Sequence, residues 1–244
     1  MKHIIATIMA LSVLANLAFA EQEQVSKTEW RVGAGGFYAQ QDFPIFSSNS
    51  VSSFGDMNAY GGYIIGGGDY FYKRLKIQLF IEGHFGSSTQ GGFSTRDGWL
   101  KFGFNTLSSE NPLYINIGFF SDSNAQGSTR DNDRVKTSAN ALSLGLDGWI
   151  KTGEKLRWEY SADYDYIMGK EYAYSTGANG FAGYYSSADG SYGVRASIGF
   201  SYQFREDLFY YVKLRAKYQN ITYNPALPTA NNIVGMVEIG IGGR

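Results

Sequence analysis

Four residues have the types and spacing for acid–base chemistry. Glu82 and His84 stand two apart, and so do Asp163 and Asp165. A carboxylate beside an imidazole fixes its tautomer, and such a pair can draw a proton from water. The only other histidine, His3, lies in the first few residues, so a histidine-dependent mechanism runs through His84. There is no cysteine, which excludes disulfides, thiolate zinc sites and cysteine nucleophiles. The competing reading of all four residues is an ion-pair network with no catalytic role.

A spacing of two puts side chains on one face only if the segment is a strand. On a helix, residues two apart differ by about 200°; on a strand they align. The stretch "LRWEYSADYDY" at 156–166 alternates without a break. Leu156, Trp158, Tyr160, Ala162, Tyr164 and Tyr166 share one face, and Arg157, Glu159, Ser161, Asp163 and Asp165 share the other. The same period recurs at 29–40, 75–86, 98–107, 113–120, 138–150, 191–204, 208–219 and 233–242. A glycine-rich segment at 57–71 adds a further strand whose facing the pattern does not assign. The expectation is therefore ten strands. Short connections fall at 72–74, 108–112, 151–155 and 205–207, and long ones at 41–56, 87–97, 121–137, 167–190 and 220–232.

The rest of the sequence narrows the class. Lys2, the apolar run 4–17 and "AFA" at 18–20 before Glu21 read as a cleaved secretion signal. That leaves 21–244 as one domain, with no run of 18 apolar residues and so no membrane-spanning helix. A net charge of −1 argues against a nucleic-acid partner. Thirty-one glycines, 19 tyrosines and 17 phenylalanines against four prolines favour strands. "DND" at 131–133, flanked by Arg130 and Arg134, reads as a solvated loop, and "NIT" at 220–222 as a chance sequon. No cofactor and no metal is expected.

These features resemble the small outer-membrane β-barrel proteins of Gram-negative bacteria. The resemblance rests on the signal, the ten amphipathic segments and the alternation of short and long connections. Membrane barrels pair short periplasmic turns with long external loops and carry aromatic girdles. Tyr70, Phe71 and Tyr72, Trp99, Trp149, Trp158, Tyr164, Tyr166, Tyr192, Phe204, Phe209, Tyr210 and Tyr211 sit near segment ends, as girdles would. Such proteins usually end in an aromatic residue, whereas this chain ends Gly242-Gly243-Arg244. A soluble lipocalin-like barrel is the alternative, with the apolar face inside.

The resemblance implies an all-β transmembrane antiparallel barrel in the outer membrane, surrounded by its lipid and lipopolysaccharide. The polar face then lines the lumen. Its positive members are Arg31, Lys76, Lys101, Arg157, Arg195, Lys213, Arg215 and Lys217. Its negative members are Glu82, Asp147, Glu159, Asp163, Asp165 and Glu238. Near-balance favours a salt-bridged plug, with Asp163 and Asp165 in reach of Arg195 on the next strand. The leading functional expectation is a non-enzymatic surface barrel that shapes the membrane or binds an extracellular ligand through loops such as 169–192, rich in Tyr, Ser and Gly. The alternative is a narrow pore for small solutes. A third reading is a hydrolase. The Glu82–His84 and Asp163–Asp165 pairs look faintly like the omptin proteases, in which an Asp pair faces an Asp–His pair across the barrel mouth. Here Glu replaces Asp beside the histidine, and the two pairs are exchanged between strands. His84 with Ser87 or Ser88 offers a lipid-A-modifying alternative.

Overall fold

The protein is described by a computed structural model over residues 26–47, 50–89, 91–128, 134–175, 182–187, 190–222 and 229–244. The secretion signal at 1–20 and the "DND" motif lie outside the described residues. The strands are β1 (Lys27–Ser47), β2 (Ser50–Tyr72), β3 (Leu75–Ser88), β4 (Gly91–Asn105), β5 (Leu113–Ser128), β6 (Arg134–Lys151), β7 (Leu156–Ser175), β8 (Ala182–Ser187), β9 (Tyr192–Gln203), β10 (Leu208–Ile221) and β11 (Ala230–Gly243). Each pairs antiparallel with its neighbour in the chain, except that β9 returns to β7 beyond the β7–β8 hairpin. β1 pairs with β11, and β6 with β7, so the sheet closes. The result is a closed ten-stranded antiparallel barrel, with β8 a short extra strand on its rim.

The segment count matches expectation; the segment lengths do not. Most of 41–56, 87–97 and 121–137, read as loops, is strand. Ser and Gly in those stretches lowered the apparent strand signal, but cross-strand hydrogen bonding carries the ladder through them. One end of the barrel is therefore closed by brief turns, and the other rises as long hairpins. The β2–β3 turn at the first end is two residues, with Lys73 at a φ of 54°. The β6–β7 turn uses Gly153 at 99°, where a Cβ would be strained.

Alternation fixes which side chains point where. The outer wall between the ends is apolar, with Val32, Ile64, Leu79, Ile81, Phe102, Ile115, Ile117, Leu144, Ile198, Leu214 and Ile239 exposed. The interior of the same section is charged. Towards the hairpin end the pattern becomes mixed: Tyr38, Tyr60, Phe85, Met168 and Ile233 are still exposed and Asn124, Gln219 and Asn232 still buried, but apolar side chains also enter the lumen. There the interior holds Phe37, Ala39, Met57, Ala59, Phe93, Val234 and Met236 in one cluster, and Phe120, Ala139, Ala141, Ile167, Ile221 and Ala230 in another. Gln40, Ser94, Arg96, Ser121, Ser123, Lys136 and Asn140 are exposed outside. A bulge between Asn140 and Ala141, against β7, shifts the register, so that Met168 faces out and Lys170 faces in.

Glycines make room inside. A Cβ on Gly240 would stand 2.6 Å from Tyr211 Cζ, and one on Gly33 would meet the same hydroxyl. β1 and β11 thus form a slot for the ring that β10 turns inward.

Candidate functional site

Every charge assigned to the lumen from alternation lies on the inner face. Nearest the short turns, Arg31 donates to Glu159 Oε2 at 2.5 Å and to Glu29 Oε1 at 2.5 Å. Arg157 donates from Nε to Glu159 Oε1 at 2.8 Å and also bonds Glu29. Lys213 reaches Glu159 Oε2 at 2.9 Å, and Arg244 reaches Glu29 Oε2 at 3.2 Å. Beside this clasp, Lys76 pairs with Asp147, which also accepts from Asn116.

One level higher, Lys101 Nζ donates to both oxygens of Asp163 at 2.7 and 2.6 Å. Arg195 holds Asp165 in a fork, Nε to Oδ2 at 2.7 Å and Nη2 to Oδ1 at 2.8 Å, with Asp163 at 3.9 Å. Ser143 bonds Asp165 as well. Higher still, Arg215 Nη1 bridges Glu82 Oε2 at 2.5 Å and Glu238 Oε2 at 3.1 Å. Lys217 Nζ bridges Asp97 Oδ2 at 2.7 Å and Asp122 Oδ2 at 3.1 Å. His84 Nε2 lies 3.2 Å from Glu82 Oε1, its ring between Phe37 and Tyr63 at 5.1 and 5.0 Å.

The two candidate catalytic pairs are not at a mouth. Glu82 and His84 are 6% and 3% exposed, Asp163 and Asp165 5% and 1%. Different cations hold them, Arg215 on one side and Lys101 with Arg195 on the other. The residue that joins Glu82 and His84 is Asp97, across the β3–β4 ladder. Ser88 turns to Gly91 O at 3.0 Å, and Ser87 is exposed on the outer wall, so neither forms a pair with His84.

Sequence reasoning missed four carboxylates. Glu29 opens the first segment, Asp69 sits in the strand whose facing was unassigned, and Asp97 and Asp122 fell in stretches read as loops. The parity of Trp99 and Lys101, run backwards through Asp97 and Thr95, was the available signal. It also missed the direction of several aromatics. Phe71, Trp99, Trp149, Phe209 and Tyr211 point inward, not into a girdle. Several of them carry guanidinium groups: Arg157 Cζ lies 4.9 Å from the Trp149 ring and Arg31 Cζ 5.3 Å from that of Phe209. Tyr70, Tyr72, Trp158, Tyr164, Tyr166, Phe204 and Tyr210 do face out.

No family model matches the sequence, and no curated protein sequence does either. Solved structures do match in fold. The outer membrane protease OmpT from Escherichia coli superposes with a TM-score of 0.63 at 9% identity, covering 91% of this chain and 99% of that one. Neisserial surface protein A gives 0.40 at 11% identity, over 90% of this chain and 99% of that one. The Pseudomonas putida toluene transporter TodX gives 0.35 at 8% identity, over 94% and 91%. The chain has the fold of the small outer-membrane β-barrel proteins. At such identity, the likeness concerns the fold alone. Membrane barrels of this class place short turns in the periplasm. The clasp lies at the short-turn end, and the apolar clusters lie towards the hairpin end.

Proposed function

We propose that this protein is a sealed, non-enzymatic outer-membrane barrel whose working surface is its extracellular hairpin end. The observation that carries this reading is the set of ion pairs crossing the lumen between strands that are not neighbours. Arg31 on β1 reaches Glu159 on β7, and Lys217 on β10 reaches Asp97 on β4 and Asp122 on β5. Arg215 on β10 reaches Glu82 on β3, and Lys101 on β4 reaches Asp163 on β7. Each bond ties opposite walls together and fills the space a solute would need. The apolar clusters above add a dewetted layer, which opposes ion passage further. A cavity of about 110 Å³ among the charges has room for ordered waters.

The same bonds disfavour catalysis by the two acid–base pairs. Their carboxylates are engaged by cations, and the imidazole is buried against Phe37 and Tyr63. Function then falls to the outer wall and the hairpins, through membrane architecture or binding of an extracellular ligand. Planar-bilayer recording on the refolded chain tests this. The expected result is no steady current; a stable open conductance overturns the sealed barrel and leaves the narrow pore. Unchanged lipid-A and peptide hydrolysis between wild type and His84→Ala is expected, and loss of a wild-type activity in that variant overturns the non-enzymatic reading.

A further inference from the structure

We propose that Glu82, His84 and Asp97 bind one divalent transition-metal cation of the zinc type inside the barrel. Their ligand atoms all lie within 4.8 Å of one another. Cross-strand pairing builds the set as a square, with Glu82 opposite Asp97 and His84 opposite Thr95 on one inner face. The bonding of the two carboxylates is divided. Glu82 Oε2 is held by Arg215, and Oε1 turns to His84. Asp97 Oδ2 is held by Lys217, and Oδ1 has no partner although Asp97 is 4% exposed. Thr95 Oγ1 beside them is likewise buried and unpartnered. A buried acceptor without a donor costs free energy, and a cation would relieve that cost at Asp97.

Charge points the same way. The ion pairs through Arg215 and Lys217 link four carboxylates, Glu82, Glu238, Asp97 and Asp122, to two cations. A divalent ion closes that set to neutrality. The outer bonds from Arg215 and Lys217 would fix the carboxylates as ligand-orienting partners do in protein metal sites. His84 Nε2 and Glu82 Oε1 are 3.2 Å apart, close to the roughly 3.3 Å edge of a tetrahedron with bonds of about 2.0 Å. One imidazole and two carboxylates with a water as fourth ligand, hydrogen-bonded by Thr95, suit zinc and its neighbours better than calcium. Glu82 and Asp97 both line the internal cavity. The proposal does not depend on whether the barrel conducts.

The test uses the full untagged chain, folded in detergent as judged by heat-modifiable mobility, stripped with chelator and titrated with Co²⁺ and then Zn²⁺. One equivalent of Co²⁺ with a tetrahedral visible spectrum, displaced by Zn²⁺, is expected. His3→Ala should bind as wild type does. His84→Gln and Asp97→Asn, folded by the same criterion, should each bind at least tenfold more weakly. X-ray absorption of the wild-type zinc form should show one imidazole among its ligands, a readout that stands even if a variant fails to fold. Binding well below one equivalent, undiminished binding by folded His84→Gln, or a shell without imidazole overturns the site.

Discussion

The two ends of the barrel fill their interiors differently. Towards the short turns, apolar residues such as Ile117 and Leu144 stand outside, and Arg31, Glu159 and Lys101 lie inside. Near the hairpins, Phe37, Met57, Phe93 and Ile167 lie inside, and Ser123, Arg96 and Lys136 stand outside. One continuous ladder carries both patterns, so the backbone does not choose between them; the surroundings do. Where lipid surrounds the wall, apolar side chains gain nothing by turning inward. Where water surrounds it, burying them is the main source of stability. If the apolar belt is the lipid-facing band, outer positions such as Arg96, Ser123 and Lys136 lie beyond it. The Glu82–His84–Asp97 cluster lies between the two, with the Lys101–Asp163 pair towards the turns and Phe37 and Phe93 towards the hairpins.

The comparison can be broken at either end. Glu159→Ala removes the carboxylate shared by Arg31, Arg157 and Lys213. It should cost about 3–5 kcal/mol in urea unfolding of the refolded barrel, since buried charges lose their partner. A cost under about 1 kcal/mol would mean that water enters the clasp, contrary to the burial seen. Phe93→Ala in the upper cluster should cost about 3–5 kcal/mol by the same measurement. A near-neutral result would deny that this end has a core of the soluble kind.

Smaller effects sharpen the boundary. On β5, Ile117 and Ser123 both face out, six residues apart in sequence. Ile117→Arg should cost about 2–4 kcal/mol in bilayers, as a charge placed in hydrocarbon. Ser123→Arg should change stability by less than about 0.5 kcal/mol, as at a wet surface. Equal costs would remove the change along the outer wall of β5 as a marker of the membrane edge. The smallest change is expected from Thr95→Val in metal-free protein. Thr95 Oγ1 has no partner to lose, so the cost should stay within about 1 kcal/mol and can be a gain.

Much of the lumen was legible because alternation is a local property. Arg31, Lys76, Arg157, Arg195 and Lys217 were sorted onto one face by parity, the barrel resemblance turned that face inward, and all lie there. Parity failed where its anchor failed. In β2 the glycines at 66–68 gave no side chain to read, so Asp69 went unassigned. In β4 the small residues around Ser94 resembled a loop, so Asp97, the neighbour that matters most to His84, was not considered. The aromatics were misassigned for a different reason. Position near a strand end says nothing about direction, and Trp149 and Phe209 are held inward by guanidinium groups from other strands.

The sequence by itself determined the strand count, the antiparallel order and which charges share a face. Those follow from period-two alternation and short turns, which need no distant partner. The tertiary structure alone decided which charge meets which. Arg31 and Glu159 are 128 residues apart, and their meeting depends on barrel closure and on the stagger of every intervening strand. It also decided that Glu82 and His84 face Asp97, not Asp163 and Asp165. Register across the β3–β4 ladder sets that pairing, and no spacing along one segment encodes it.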